Sequence, residues 1–131
     1  MFDANEYWIT VVTLKGFERA VDGLLTEHEV SGLIAYLANH PDVGVIMPDT
    51  GGIRKLRWGA RGRGKSGGAR VIYYFRDLNM PLYILTAYSK GEKINLTMAE
   101  KAHMRRLVDE IVHQHWDNQI AERVFKLSRN S

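Results

Sequence analysis

Residues 51–76 read GGIRKLRWGARGRGKSGGARVIYYFR. The runs IRKLRW and ARVIYYFR are rich in β-branched and aromatic residues and flank a glycine-rich connection, the pattern of two strands joined in a hairpin. Arg54, Lys55, Arg57, Arg61, Arg63, Lys65, Arg70 and Arg76 all fall inside this stretch, and no acidic residue does. The whole chain carries a net charge of only +3. The remainder is therefore net acidic, and the basicity is a local patch. Such a patch is an electrostatic footprint for a polyanion. Trp58, Tyr73, Tyr74 and Phe75 are interleaved with the charges and offer faces for base stacking, which favours single-stranded nucleic acid over small anions or membranes. The plainer alternative is a solvated basic hairpin.

Upstream, residues 7–14 (YWITVVTL) predict a strand with Trp8, Thr10, Val12 and Leu14 on one side. Two helices follow. Phe17, Ala20, Val21 and Leu24 recur at i, i+3, i+4 and i+7, and Val30, Leu33, Ile34 and Leu37 repeat that spacing. Thr26 with Glu29 makes a capping box that opens the second helix, and Pro41 closes it because proline cannot continue the hydrogen-bond ladder. Downstream, residues 82–88 predict a further strand, so that 53–58, 69–76 and 82–88 form an antiparallel meander. Thr97 with Glu100 is a second capping box. It opens a long helix whose apolar stripe is Met104, Leu107, Val108 and Ile111, extended by Trp116, Ile120 and Val124. The element order β-α-α-β-β-β-α predicts an α+β fold: an antiparallel sheet, an N-terminal helical hairpin and a long C-terminal helix, with the helices packed on one face of the sheet.

At 131 residues, 45% hydrophobic and 25% charged, the chain is expected to form a single domain around one core. No apolar run approaches the ~20 residues of a membrane span. The start MFDANEYW has neither the basic residues nor the apolar core of an export signal, so a cytoplasmic protein with no membrane partner is expected. The lack of cysteine rules out disulfides, thiolate chemistry and cysteine zinc sites.

Two nucleotide-binding patterns lack their setting. Residues 59–66 fit G-x-x-x-x-G-K-[ST], and Gly62, Gly64 and Gly67 fit G-x-G-x-x-G. A phosphate loop must lead into a helix whose N-terminal amides face the phosphates, whereas here Gly67-Gly68 leads into the strand ARVIYYF. The glycines are expected at a hairpin tip. His113 and His115 are two apart on a helix, on opposite sides of its axis, so they do not form the i, i+4 pair that helical metal sites use. No metal or other cofactor is expected. Any catalysis would have to run on Arg, Lys and Tyr.

The succession GGIRKLRW, a glycine- and lysine-rich loop, SGGARVIYYF and PLYILTAYSKGEKINLT resembles the HigB-like branch of the RelE/ParE superfamily, toxins of bacterial type II toxin–antitoxin operons. The resemblance covers about residues 5–112 and leaves an extended tail at 113–131. It implies a ribosome-dependent endoribonuclease that cuts mRNA in the ribosomal A site without a metal. It also implies a HigA-like helix-turn-helix antitoxin, through which alone the toxin would meet operator DNA. Carried over by position, the catalytic candidates are Lys55, Arg57, Arg70 and Lys90. The general base is left unassigned, because Gly91 and residues 95–97 stand where some relatives carry an arginine and a tyrosine.

On alternating strand geometry Lys55 and Arg57 share a face, opposite Leu56 and Trp58. Arg54 falls on the apolar side and is expected to snorkel outward. Arg70 is the candidate clamp on the scissile phosphate, with Arg57 assisting, and Lys55 or Lys90 the candidate for proton transfer. Arg54, Arg61, Arg63, Lys65, Tyr74 and Arg76 are candidate RNA contacts, Tyr74 by stacking on a base. Two alternatives stay open at this point: a ParE-like inhibitor of DNA gyrase, and a basic module that binds RNA or DNA without catalysis.

Overall fold

A computed structural model of the chain describes residues 8–59, 68–93 and 95–130, with side chains through residue 118. Its elements are β1 (Val11–Thr13), α1 (Lys15–Ala20), α2 (Glu27–Asn39), β2 (Val45–Ile46), β3 (Ile53–Trp58), β4 (Ala69–Tyr74), β5 (Leu82–Ser89) and α3 (Met98–Asn130). The five strands form one sheet in the order β1-β5-β4-β3-β2. The expected meander is present, since β3, β4 and β5 pair antiparallel in sequence order. β1 joins β5 in parallel, which makes the sheet mixed. The expected first strand is shorter than the apolar run that suggested it, and β2 is an added edge strand of two residues.

Local chemistry sets the helix boundaries. In α2 the Thr26 hydroxyl accepts from the Glu29 amide while the Glu29 carboxylate accepts from the Thr26 amide, so both orphan donors are satisfied. Thr97 and Glu100 make the same reciprocal pair at the start of α3. The 33 residues of α3 run about 50 Å at 1.5 Å per residue, so residues 113–130 continue the helix. Among the described residues no helix is long and apolar enough to cross a membrane.

The helices cover both faces of the sheet, which corrects the one-sided packing expected from the sequence. Phe17, Leu25, Leu33 and Leu37 from the helical hairpin pack with Ala69, Val71, Tyr73, Leu82, Ile84 and Ala87. Ile53, Ile72, Tyr74, Leu85 and Tyr88 form a second cluster with Leu96 and Val108, to which Met104, Leu107 and Ile111 of α3 are added. The reason lies in β4. All six of its residues are buried, and a strand apolar on both sides must be covered on both sides.

Two side chains fasten the β2–β3 hairpin. The Tyr73 hydroxyl accepts from the Gly44 amide at 2.7 Å in the interior. In the turn that follows β2, the Thr50 hydroxyl donates to the Met47 carbonyl at 2.7 Å and accepts from the Ile53 amide at 3.1 Å. That turn uses positive φ at Asp49, Gly51 and Gly52. Arg105 of α3 donates to the Asp49 carbonyl and so ties the helix to the turn.

Candidate nucleic-acid interface

Cross-strand register assembles the site. β3 and β4 place Arg57 opposite Arg70 and Lys55 opposite Ile72, while β4 and β5 place Arg70 opposite Tyr88. Directly opposed residues share a face with Cβ atoms about 4.5–5.5 Å apart. Arg57, Arg70 and Tyr88 therefore make one row across three strands, and Lys55 stands in the next row. This is the face that α3 covers farther along the strands.

Arg70 is only 7% exposed, and its Nη1 has no hydrogen-bond partner among the described residues. Tyr88 is 4% exposed, and its hydroxyl likewise has none. Lys93 Nζ lies 5.7 Å from the centre of the Tyr88 ring and is held by an ion pair with Glu100. Lys55 Nζ donates to Asn95 Oδ1 at 3.3 Å. Burial pushes the Tyr88 hydroxyl above the ordinary tyrosine value, opposed in part by the charges of Arg70 and Lys93. Hydrogen bonds from Lys93 and from the Thr97 amide hold the Glu100 carboxyl below its ordinary value.

Like charges facing each other across a ladder are destabilising, and a buried guanidinium with a free N–H is costly. A phosphodiester placed on the row would relieve both penalties. The row does not coincide with the open groove of about 1070 Å³ between α1 and α2, which is lined by Phe17, Val21, Leu25 and Ile34.

The family model described as the RelE toxin of the RelE / RelB toxin-antitoxin system matches residues 38–126, more than half of the chain. The chain belongs to the RelE toxin family. It is accordingly the toxin component of a two-part system and has an antitoxin as partner. The matched span contains β2 to β5 and the whole basic row.

Not every predicted site residue of this RelE-family toxin joins the row. Arg54 lies on the opposite face, where its Nη1 donates to the Asp42 and Gly44 carbonyls at 2.9 and 2.7 Å rather than snorkelling into solvent. Tyr74 shares the face of Arg70 but is 7% exposed among the residues packed with α3, so its ring is not offered to a base. Arg76 lies two residues beyond the far end of β4, whereas Arg70 is near its start. There it pairs with Asp77 and stands 5.5 Å from the ring centre of Trp116. Lys90 is exposed in the turn after β5, and the lysine brought over Tyr88 is Lys93. Arg61, Arg63 and Lys65 lie outside the described residues.

The aromatic residues interleaved with the charges turn out to be packing groups. Trp58 faces α2, its indole N–H donating to the Glu29 carbonyl and its ring 5.4 Å from Tyr36. Tyr73 is fully buried and Phe75 packs against the same cluster. What the sequence reading missed is Tyr88, together with Lys93, Glu100 and Asn95. Strict alternation along β5 would place Tyr88 beside Leu82 and Ile84, on the face of the helical hairpin. A register shift between Ile72 and Tyr73 leaves Leu85 as an extra residue on β5, and this turns Tyr88 to the Arg70 face. The only signal in the sequence was a tyrosine close to the Lys-Gly-Glu-Lys turn.

Proposed function

We propose that this RelE-family protein is a HigB-like, ribosome-dependent mRNA endonuclease that arrests translation in the cytoplasm as a single-domain toxin. Its partner would be a HigA-like helix-turn-helix antitoxin. The observation that carries this reading is the row of Arg57 and Arg70 with Lys55 beside it, cations arrayed on a sheet surface, one of them buried with an N–H that has no partner among the described residues.

The reaction is a transesterification. The 2′-oxygen of one nucleotide attacks the adjacent phosphorus, the O2′–P bond forms and the P–O5′ bond breaks. The 2′-hydroxyl loses its proton and O5′ gains one. The products are a 2′,3′-cyclic phosphate and a 5′-hydroxyl. Arg70 supplies a fixed donor to the non-bridging oxygens as charge builds on them, with Arg57 assisting. Lys55 and Lys90 remain the candidates for proton transfer, and Arg61, Arg63 and Lys65 for phosphate contacts along the mRNA or ribosomal RNA.

Expression without the antitoxin, followed by labelled-methionine incorporation and mapping of mRNA 5′ ends, tests the proposal. Protein synthesis should stop, with new 5′ ends inside reading frames. Continued synthesis accompanied by broken or supercoiling-deficient DNA would replace it with the gyrase reading.

A further inference from the structure

We infer that Tyr88 is a catalytic residue of this reaction, its hydroxyl and Arg70 Nη1 together holding one non-bridging oxygen of the scissile phosphate. The inference rests on the endonuclease reading given above. It starts from two buried donors on neighbouring strands. Arg70 and Tyr88 are directly opposed in the β4–β5 ladder, each is more than nine-tenths buried, and neither polar atom has a partner among the described residues.

A folded chain seldom leaves a buried donor unpaired, because the lost hydration is not recovered. Two such donors side by side form a two-pronged site for a single acceptor. The acceptor should be anionic, since Arg57 and Arg70 leave the spot positively charged even though Lys93 is paired with Glu100. A phosphoryl oxygen meets both conditions. Burial keeps the Tyr88 hydroxyl protonated, so it donates a hydrogen bond throughout and transfers no proton in the step.

Lys93 completes the arrangement. In the free protein its ammonium lies over the Tyr88 ring and is tied to Glu100, which also caps α3. The lysine is about one-third exposed. Because Tyr88 is buried, phosphate binding on this reading requires the Lys93 side chain to leave the ring and exchange Glu100 for the incoming anion.

Tyr88→Phe removes the hydroxyl and keeps the ring. Single-turnover cleavage on saturating programmed ribosomes should slow about 10²-fold, as for loss of one transition-state donor, with ribosome affinity unchanged. Because the lost hydroxyl had no partner, the melting temperature should hold or rise. Sulfur in place of one of the two non-bridging oxygens should slow the wild type, and should slow Tyr88→Phe by a smaller factor, since Arg70 alone still donates to that atom. Cleavage at the wild-type rate, or slow cleavage with the wild-type sulfur effect and a lowered melting temperature, would overturn the assignment.

A readout independent of activity separates this inference from the endonuclease reading. Inorganic phosphate should shift the Arg70 side-chain N–H signal in NMR of the wild type, and Tyr88→Phe should need several-fold more phosphate. If the wild type cuts no mRNA yet this difference is seen, the reaction falls and the anion cradle stands. If phosphate moves the signal equally in both proteins, the cradle falls.

Discussion

Arg57 and Arg70 stand directly opposite each other on β3 and β4, two guanidinium groups on one face of the sheet and in one cross-strand pair. Arg57 is exposed and Arg70 is buried, so the repulsion between them is only partly screened by solvent. Sheets ordinarily place apolar or opposite-charge pairs at such positions.

Arg57→Thr should therefore raise stability by about 0.2–1 kcal/mol, the range for a cross-strand pair. The gain should shrink in high salt, since one partner is solvent-exposed. Urea unfolding at low and high ionic strength measures both. Cleavage should fall in the same variant, so that stability and activity move in opposite directions.

Arg70→Met keeps an unbranched apolar stem in the buried position and removes the guanidinium and its charge. Single-turnover cleavage on saturating ribosomes should drop by about 10² to 10³, the equivalent of roughly 3–4 kcal/mol for a transition-state donor. Arg61→Ala and Arg63→Ala should cleave near the wild-type rate at saturation and bind ribosomes with about one unit less salt slope each. The opposite ranking would move the active site from the sheet to the connection between β3 and β4.

Tyr73→Phe leaves the Gly44 amide without its acceptor in the interior. The expected loss is about 1–3 kcal/mol by urea unfolding, the penalty for a buried unsatisfied donor. Gly44→Ala should be destabilising by a similar amount, because a Cβ there would lie 2.8 Å from the Tyr73 ring and 3.1 Å from the Lys55 carbonyl. Since the Lys55 backbone is the far wall, Gly44→Ala should also reduce cleavage more than Tyr73→Phe does.

Glu100 links folding to pH. A carboxyl held below its ordinary value in the folded chain stabilises the fold above the unfolded-state value. That stabilisation is lost as pH falls through the ordinary glutamate range to the lowered folded value. Glu100→Gln should therefore melt lower than wild type at neutral pH, and the two melting curves should converge in strongly acid buffer. Differential scanning calorimetry across that range checks the sign.

The two capping boxes, the β3–β4–β5 meander and the pairing of Lys55 with Arg57 on one face were legible in the sequence, because each depends on residues a few positions apart. The same local rules suggested base-stacking aromatics where the fold has packing. Whether Trp58, Tyr73 and Tyr74 meet solvent depends on what covers each face of the sheet, and α2 and α3 come from distant parts of the chain. Only the tertiary structure decided that Tyr88 faces Arg70. The extra residue Leu85 in β5 reverses the alternation beyond it, and a reversal of that kind is set by pairing with β4. Burial of Arg70 Nη1 and the Tyr88 hydroxyl without partners among the described residues is likewise a property of three adjacent strands, which no single segment encodes.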